Sequence, residues 1–464
     1  MVASRFPALT RRALLQAGFS AAALAVLEGS LPSALAGEGG VRRNWRNWSG
    51  SQMTLPKQWL TPQSEQSLIE VLRAASGTVR VTGASHSFSA LCATDDTLLS
   101  LDDMQGLISH DAEKLQARVW AGTRLRELGQ PLWDIGQSLI NQGDVDPQSV
   151  AGACGTSTHG TGITLGSFSS VMRGVRLVTP SGEIIECDAQ READVFHAAS
   201  TSLGALGVLT QITLQNRAAY KLHEQSYTES LDEVLRKLDQ YVADNRHFEF
   251  WAFFESDLAL VKLLNETEAE STTKGLISLP VDTVLWLACE LAHAVPAWDG
   301  GMQRLLTALV SSEEKIGRAF EVFPSPRDVR FNEMEYELPV ADGPDCLREI
   351  LEAVRKKNLN TLFPVEYRTA AADDCWLSPF YQRDSASISI HQYHQVDYKP
   401  LFDFVEPIFW KYQARPHWGK LHTLGAKALA PLYPKWDEFQ AVRRRLDPSG
   451  RMLNAHLHKL FGET

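Results

Sequence analysis

The sequence lacks the two glycine motifs by which most nucleotide-binding folds hold a phosphate. No G-x-G-x-x-G follows a first strand and no G-x-x-x-x-G-K-[ST] is present, so the chain predicts neither a Rossmann domain nor a P-loop. Its six cysteines are scattered, without a close pair or the spacing of metal ligands. Basic residues are also few: 45 Lys and Arg against 56 Asp and Glu give a net charge of −11, which argues against binding to nucleic acid.

The first 36 residues have the features of an export signal. Arg11 and Arg12 precede a run rich in alanine and leucine that ends at the small-residue site Ala-Leu-Ala, residues 34–36. The run is short and contains Glu28, so we expect no stable membrane span. The paired arginines favour a bacterial twin-arginine signal and a periplasmic or secreted protein. An ordinary secretory signal with a chance Arg-Arg pair is the alternative.

The length and the patterns of the chain predict two α+β domains. A chain of 464 residues is too long for one ordinary core. From residue 45 to about 218, strand-like runs alternate with helical patterns, such as the helix predicted at 64–75, and with turns rich in Gly, Ser and Thr. From about residue 219 longer helical stretches alternate with strand-like runs, and this change marks the second domain.

Two glycine-rich segments each carry a central histidine. VTGASHSFSAL, residues 81–91, places His86 between two serines, and QSVAGACGTSTHGTGITLGSFSS, residues 148–170, places His159 among five glycines. Glycine permits positive φ and close approach of the backbone to a ligand, and free N–H groups beside hydroxyls bind a pyrophosphate. These loops therefore predict a cofactor held mostly by backbone. Tight turns and an ordinary surface-loop histidine are the alternatives.

These segments carry a resemblance to a known family. VTGASHSFS, VWAGTRLRELGQPL, QSVAGACGTSTHGTG and STSLGALGVLTQITL, in this order and at these separations, resemble the FAD domain of vanillyl-alcohol-oxidase-type flavoproteins. Within them they resemble the sugar-1,4-lactone oxidase group, which includes gulonolactone and arabinonolactone oxidases, galactonolactone dehydrogenases and alditol oxidases. WRNWSG, RHFEFWAFFESD, FNEMEYELP, VEYRTAAADD, RPHWGKLH and LDPSGRMLN extend the resemblance over nearly the whole mature chain.

The resemblance implies a fold and a domain order. The fold is α+β, with an FAD-binding domain over 45–218 and an α+β substrate (cap) domain over 219–430. The C-terminal segment, 431–464, is expected to return to the FAD domain. The resemblance also implies that the substrate is a small sugar lactone or a polyol.

The resemblance further implies which residues hold FAD. His86 matches the histidine that the family bonds covalently to the flavin 8α carbon, and a neutral imidazole is a competent nucleophile. We expect His159 to have a structural or flavin-contacting role and not a catalytic one. The remaining cofactor-binding candidates are Gly83, Ala84, Ser85 and Ser87 in the first segment, Gly152, Thr156, Thr158, Gly160 and Gly162 in the second, and Val208 further along the chain.

Three charged residues are the catalytic candidates. Glu366 and Arg368 in VEYRT lie two residues apart on a strand and therefore share one face, and the resemblance aims Lys420 in HWGK at the same place. A dehydrogenating flavin needs positive charge near N1–C2=O, which suits Lys420, while Arg368 suits the substrate hydroxyl. Glu366 either accepts the hydroxyl proton or orients Arg368. An exposed cross-strand ion pair is the alternative for Glu366 and Arg368.

Three further residues concern the substrate and the electron acceptor. We expect His391 and His417 near the substrate. His391 and His394 are three apart in a strand-like run, which places them on opposite faces, so we expect no metal site. Gly143 matches the position where the dehydrogenases of the family carry an alanine that obstructs oxygen, so we expect O2 as acceptor and H2O2 as product.

The expected activity is therefore the FAD-dependent oxidation of an aldono-1,4-lactone. An alditol oxidase that acts on xylitol- or sorbitol-like polyols is one alternative. A lactone dehydrogenase that passes electrons to a cytochrome or quinone is another. A non-catalytic flavin-binding or carbohydrate-binding protein is an alternative from a different class.

Overall fold

The computed structural model describes residues 43–274, 289–291, 300–304, 312–325, 327, 329–359 and 361–462. The predicted export signal, residues 1–36, lies outside the described residues. In the ranges that are described, no helix combines the length and the apolar character that crossing a membrane requires.

The strands of the described residues are 2 to 11 residues long. In chain order they are Trp45–Arg46 (β1), Met53–Thr54 (β2), Gln58–Leu60 (β3), Val79–Thr82 (β4), Thr97–Ser100 (β5), Leu107–Asp111 (β6), Gln116–Trp120 (β7), Gln137–Leu139 (β8), Met172–Val178 (β9), Ile184–Asp188 (β10), Val208–Ala218 (β11), Lys221–Ser230 (β12), His247–Ala252 (β13), Leu258–Thr267 (β14), Thr272–Lys274 (β15), Glu313–Arg318 (β16), Phe331–Pro339 (β17), Val365–Ala370 (β18), Ser385–Tyr393 (β19) and Arg415–Pro416 (β20).

The helices of the described residues are distributed over both halves. They are Glu65–Ala74 (α1), Leu125–Asp134 (α2), Val150–Gly155 (α3), Ala193–Ser200 (α4), Leu231–Arg236 (α5), Leu238–Asp244 (α6), Ala319–Val322 (α7), Gly343–Lys357 (α8), Lys399–Lys411 (α9), Ala426–Leu429 (α10), Trp436–Leu446 (α11) and Ala455–Phe461 (α12), with 3-10 turns at Val340–Asp342 and Ala430–Leu432.

Within the described residues the strands form four sheets. The first half contains the short pair β1-β2, a parallel sheet of order β3-β5-β4 and an antiparallel sheet of order β10-β9-β11-β7-β6, with β8 paired to β11. The second half contains one antiparallel sheet of order β15-β16-β12-β14-β13-β18-β19-β17-β20. The change of pattern in the sequence near residue 219 thus coincides with the start of the large sheet at β12.

Helix α1 confirms the helix predicted at residues 64–75. The Ser64 hydroxyl accepts a hydrogen bond of 3.2 Å from the N–H of Ser67 and so caps the first turn. Leu68 and Leu72, four residues apart, lie on one helix face and are fully buried. Local capping and helical spacing together account for this element.

The second glycine-rich segment, 148–170, is not entirely a loop as expected, because it begins with helix α3. The Ser149 hydroxyl accepts a hydrogen bond of 3.2 Å from the N–H of Gly152 and caps this helix. Ala153 and Cys154 are fully buried and anchor it in the core. The cap and the buried small side chains outweigh the low helix propensity of glycine.

The two faces of the nine-stranded sheet differ in chemistry. On one face Tyr336 of β17 packs on Phe409 of α9, with ring centroids 4.7 Å apart. On the other face Glu335 of β17 and Ser387 of β19 lie side by side. At β17, β18 and β19 both faces are buried: α9 packs on the apolar face, and His159, from the second glycine-rich segment, lies against the polar one. We call the second face the polar sheet face.

The C-terminal residues contact the parallel sheet of the first half. The Arg80 guanidinium, on β4, donates hydrogen bonds to the carbonyl oxygens of Leu203 and Met452. The Asn454 side-chain amide donates a hydrogen bond of 2.8 Å to the carbonyl oxygen of Ala90. The chain beyond α11 is therefore bonded to β4 and to the loop that follows it.

Candidate active site

A cavity beside strands β4 and β11 is lined by eight of the twelve predicted cofactor-binding residues. Small residues make much of its wall. A Cβ built on Gly155 would meet no atom within 4 Å, so the missing side chain leaves open space, and Gly207 has a φ of +143° that favours glycine. The eight are Gly83, Ala84, Ser85, His86, Ser87, Gly152, Thr156 and Val208.

The polar groups around this cavity suit the pyrophosphate of the implied FAD. Among the described residues, Nη1 of Arg124 is buried and has no hydrogen-bond partner, and it lies 3.6 Å from the Cβ position of Gly83. A buried guanidinium N–H without an acceptor is costly, and a phosphate oxygen would satisfy it. The residues present therefore fit the cofactor, and residues 83–87 together with Arg124 would hold its phosphates.

His86 lies in the cavity wall and stacks on an aromatic ring. Its imidazole and the indole of Trp48 have centroids 5.3 Å apart and planes inclined by 21°. Burial first, and then the positive charge of Lys420, lower the pKa of His86 from 6.5 to about 4. The ring is therefore neutral at physiological pH and keeps the nitrogen lone pair that a nucleophile needs.

The other four cofactor candidates lie outside the lining of this cavity and connect it to the large sheet. They are Thr158, His159, Gly160 and Gly162. The N–H of Gly162 donates a hydrogen bond of 2.8 Å to the carbonyl oxygen of Thr369. His159 is buried, with Nδ1 2.7 Å from the carbonyl oxygen of Gly160 and Nε2 2.9 Å from a carboxylate of β17.

The three catalytic candidates come together on the polar sheet face. Glu366 and Arg368 are each only 6% exposed, so the alternative of an exposed ion pair is wrong. Nε of Arg368 lies 3.6 Å from Oε2 of Glu366. The ammonium of Lys420 reaches the same face from the segment after β20, where it lies 2.5 Å from Oε2 of Glu333.

Sequence reasoning missed two carboxylates that hold these cations, Glu333 and Glu335. Nη2 of Arg368 donates a hydrogen bond of 2.5 Å to Oε1 of Glu335, and Nζ of Lys420 lies 3.4 Å from its Oε2. Both glutamates alternate with apolar residues in FNEMEYELP, the stretch that forms β17. Three glutamates at every second position were a signal of a common face, but not of a buried one.

Opposite charges keep these groups ionised despite their burial. Burial alone would raise the pKa of Glu333, but Lys420 and then His391 lower it to about 2. Burial alone would lower the pKa of Lys420, but Glu333 and Glu335 raise it above its usual 10.5. The guanidinium of Arg368 likewise has a raised pKa because Glu366 and Glu335 outweigh its burial.

The two histidines expected near the substrate flank this cluster. Nε2 of His391 lies 3.6 Å from Oε1 of Glu333. His417 is buried, and burial lowers its pKa from 6.5 to about 3, so its ring is neutral and Nδ1 accepts a hydrogen bond from the N–H of Gly419. His394 lies beyond the end of β19, so the argument from strand alternation does not apply to it.

Two groups of carboxylates and histidines, among the residues described, have ligand atoms within 4.8 Å of one another. Both share a carboxylate with the cations of the site, because Glu335 is bonded to Arg368 and Glu333 to Lys420. Side chains of the protein thus already supply the positive charge there. The groups are His159, Glu335 and His417, and Glu333, Glu366 and His391.

Gly143, the predicted oxygen-access position, is buried but does not line the cavity. A Cβ built on it would lie 3.4 Å from Cε2 of Phe168 and 3.7 Å from Cγ2 of Thr158. These are tight but ordinary contacts, so an alanine fits at this position. Its effect on oxygen stays a prediction.

Two family models match this chain and together span most of the described residues. The model for D-arabinono-1,4-lactone oxidase matches residues 212–460, and the model for an FAD binding domain matches residues 56–188. The first covers the large sheet and the catalytic candidates. The second covers both glycine-rich segments, the one with His86 and the one that begins with α3.

Known proteins resemble this chain over nearly its whole length. It is 38% identical to an L-gulono-1,4-lactone dehydrogenase of Mycobacterium tuberculosis, over 90% of this chain and 99% of that one. It is 29% identical to an alditol oxidase of a Streptomyces species, over 89% of this chain and 98% of that one. A solved structure of a solvent-stable cholesterol oxidase superimposes with a TM-score of 0.78 at 17% identity, over 90% and 97% of the two chains, which supports the fold alone.

The fold and the cavity define a flavoprotein of the vanillyl-alcohol-oxidase type, and the predicted α+β fold with an FAD-binding domain and a second domain is confirmed. FAD is its cofactor. The chain belongs to the FAD-linked family of sugar-1,4-lactone oxidases, and it is an oxidoreductase acting on CH–OH groups.

Proposed function

We propose that this protein oxidises an aldono-1,4-lactone at a carbon that bears a hydroxyl group and passes the two electrons to O2, which yields H2O2. The observation that carries the proposal is the cluster formed on the polar sheet face by the buried Glu366 and Arg368 and the half-buried Lys420. The position of the cluster also supports the proposal. Lys420 lies close enough to His86, in the wall of the cofactor cavity, to lower the pKa of that histidine.

Each residue of the cluster has its own role in the proposed reaction. Arg368 binds the substrate hydroxyl and polarises it, since its guanidinium is cationic and held between Glu366 and Glu335. Glu366 accepts the hydroxyl proton as the C–H bond breaks. Lys420 would place a positive charge beside the bound cofactor, which favours the movement of negative charge toward it. Bound FAD supplies the hydride acceptor.

The charges of the polar sheet face favour a neutral, polyhydroxylated substrate. Glu333 is an ionised acceptor, and Arg368 and Lys420 are donors. The hydroxyl groups of a lactone ring pair with groups of either kind. The open-chain aldonate would bring a carboxylate close to the negative charges of Glu333 and Glu335, and like charges in a buried site repel strongly.

We also propose that His86 is bonded covalently to the 8α carbon of the flavin. Support comes from its position in the cavity wall, its neutral ring and its stacking on Trp48, which holds the imidazole in one orientation. A covalent bond would keep the cofactor on the protein after export. Export itself is proposed on the twin-arginine pattern of residues 1–36 alone.

Oxygen uptake across a panel of aldonolactones and alditols tests this function. We expect uptake with at least one lactone and one H2O2 released per substrate oxidised, because two electrons reduce one O2. Uptake with alditols and with no lactone would replace the lactone by a polyol substrate. If no lactone or polyol bleaches the bound flavin anaerobically, the protein is not a catalyst of this class.

A lactone dehydrogenase is the second candidate function. The relative in Mycobacterium tuberculosis, at 38% identity, is named a dehydrogenase and not an oxidase. This candidate predicts rapid reduction of a cytochrome or a quinone analogue by lactone, with little H2O2. Release of H2O2 at the rate of substrate turnover would exclude it.

Replacing Gly143 by alanine is expected to slow reoxidation by O2 several-fold and to leave anaerobic reduction by substrate unchanged. The new methyl group fits, because its nearest neighbour is Phe168 at 3.4 Å, so the protein should keep its fold and its FAD. Stopped-flow mixing of substrate-reduced enzyme with O2 measures the effect. Alanine at the half-buried Gly174, where the nearest atom would lie 3.6 Å away, is the control, and equal rates in both variants would contradict the prediction.

A further inference from the structure

Glu335 receives hydrogen bonds from three separate segments of the chain. Its Oε1 accepts from Nη2 of Arg368 at 2.5 Å, from Oγ of Ser387 at 2.6 Å and from Nε2 of His159 at 2.9 Å. Its Oε2 lies 3.4 Å from Nζ of Lys420. One carboxylate thus contacts both cations of the cluster and the glycine-rich segment that begins at the cofactor cavity.

Glu335 is ionised, and solvent screens its attraction to Arg368 and Lys420 only weakly. Burial alone would raise its pKa, but Arg368 and then Lys420 hold the pKa well below its usual 4.5. The side chain is 1% exposed, so solvent screens the interactions weakly. In return Glu335, after Glu333, raises the pKa of Lys420.

The backbone of Glu335 also places the segment that carries Lys420. The N–H of His417 donates a hydrogen bond of 3.0 Å to the carbonyl oxygen of Glu335, and the N–H of Leu421 donates one of 2.9 Å to that of Glu333. Strand β17 therefore fixes both ends of this short segment. The side chain of Glu335 then sets where the ammonium of Lys420 lies within it.

We propose that Glu335 is a positioning residue of this enzyme, which fixes Arg368 and Lys420 relative to each other through its hydrogen bond and its negative charge. It acts through these two side chains and does not contact the substrate. The inference rests on the proposed function in that substrate turnover is one of its readouts. A second readout, the absorption of the bound flavin, needs no substrate.

Glu337 supplies a matched control on the same strand face. It lies two residues further along β17 and is fully buried, yet among the described residues neither of its carboxylate oxygens has a hydrogen-bond partner. Burial, and then the negative charge of Glu335, raise its pKa well above the usual 4.5. The raised pKa favours the neutral carboxyl, and glutamine at this position removes no hydrogen bond or ion pair that the structure shows to Arg368 or Lys420.

The test compares Glu335→Gln with Glu337→Gln in the FAD-loaded protein. Glutamine keeps the size of the side chain but removes the charge, so Lys420 loses one of its two carboxylates and its pKa falls. We expect kcat of Glu335→Gln to fall roughly tenfold, as for the loss of one charge-assisted hydrogen bond, with a smaller change in KM. The alkaline limb of kcat should move to lower pH. In Glu337→Gln both kcat and the position of its alkaline limb should equal those of the wild type.

The second readout is the visible absorption of bound flavin, titrated from neutral to alkaline pH without substrate. Flavin absorption responds to the charge beside the ring, so the alkaline transition should move to lower pH in Glu335→Gln and stay in place in Glu337→Gln. An unmoved transition in Glu335→Gln would overturn the inference, even if its melting temperature fell. If no lactone is oxidised by the wild type, the proposed function fails while this titration still decides the role of Glu335.

Ser387→Ala decides the question if Glu335→Gln does not fold. This change removes one of the three donors to Oε1 of Glu335 and leaves every charge in place. We expect a several-fold lower kcat at unchanged FAD content, because the carboxylate is then held less firmly. A kcat equal to that of the wild type would overturn the inference.

Discussion

In His86→Ala the flavin is expected to leave the protein when the protein is precipitated with acid, whereas in the wild type it should stay in the pellet. The reason is chemical: alanine has no nucleophile, and in the proposal His86 carries the bond to the flavin. Its neighbours Gly83, Ser85 and Ser87 still line the cavity, so the native variant should keep FAD without a covalent bond. Absorption of the redissolved pellet and of the supernatant measures the partition.

A control and a contradiction make this test decisive. His110 is exposed on β6, so His110→Ala should retain its flavin in the pellet as the wild type does. Yellow pellets from both variants would place the covalent bond on another residue. Yellow supernatants from the wild type and both variants would mean that FAD is bound without a covalent link.

The depressed pKa of His86 predicts how attachment depends on pH. Burial, then Lys420, lower this pKa to about 4, so at pH 5.5 nearly all rings are neutral, whereas a histidine with an ordinary pKa of about 6.5 would be only about one-tenth neutral. Incorporation of FAD into apoprotein should thus proceed equally at pH 5.5 and 7.5. The same shift costs stability in acid, since the unfolded chain binds a proton below about pH 6.5 that the folded state takes up only near pH 4.

The cofactor half of the site could be predicted from the sequence because its signal is local. Glycines that bring backbone to a ligand stand next to each other in the chain, and residues 83–87 line the cavity as expected. In the second glycine-rich segment the same reasoning predicts only part of the structure. After α3 the chain turns from the cavity to the large sheet, where His159 meets Glu335. No short-range pattern in the sequence marks that turn.

The catalytic half could be predicted only for the residues that the family resemblance named. Alternating glutamates in a strand ordinarily predict a face exposed to solvent, but Glu333 and Glu335 are 3% and 1% exposed. The difference arises because distant segments meet on this face: the register sets both Glu335 and Glu366 opposite Ser389 of the strand between them, and His159 lies against Glu335. Pairing between distant segments follows from the folded sheet and is not encoded in the local alternation.

The second large effect is expected at Lys420. Lys420→Ala should slow the reduction of bound flavin by lactone roughly 100- to 1000-fold, the usual cost of removing one preorganised group that stabilises developing charge. FAD content should change little, because Lys420 is not part of the cavity wall. Anaerobic stopped-flow bleaching, expressed per bound flavin, measures the rate. Lys427→Ala, at an exposed position of α10, should reduce at the wild-type rate.

The pH dependence of reduction separates the charge of Lys420 from a merely structural role. Glu333 and Glu335 raise the pKa of Lys420 above 10.5, so its ion pairs are fully formed below that pH and are lost as the pH rises through the raised value. The wild-type rate should therefore hold up to about pH 10 and fall above it, while Lys420→Ala should be slow at every pH, with no such fall. A variant that keeps FAD and reduces as fast as the wild type would contradict the catalytic role. A variant that loses FAD instead would assign Lys420 to cofactor binding.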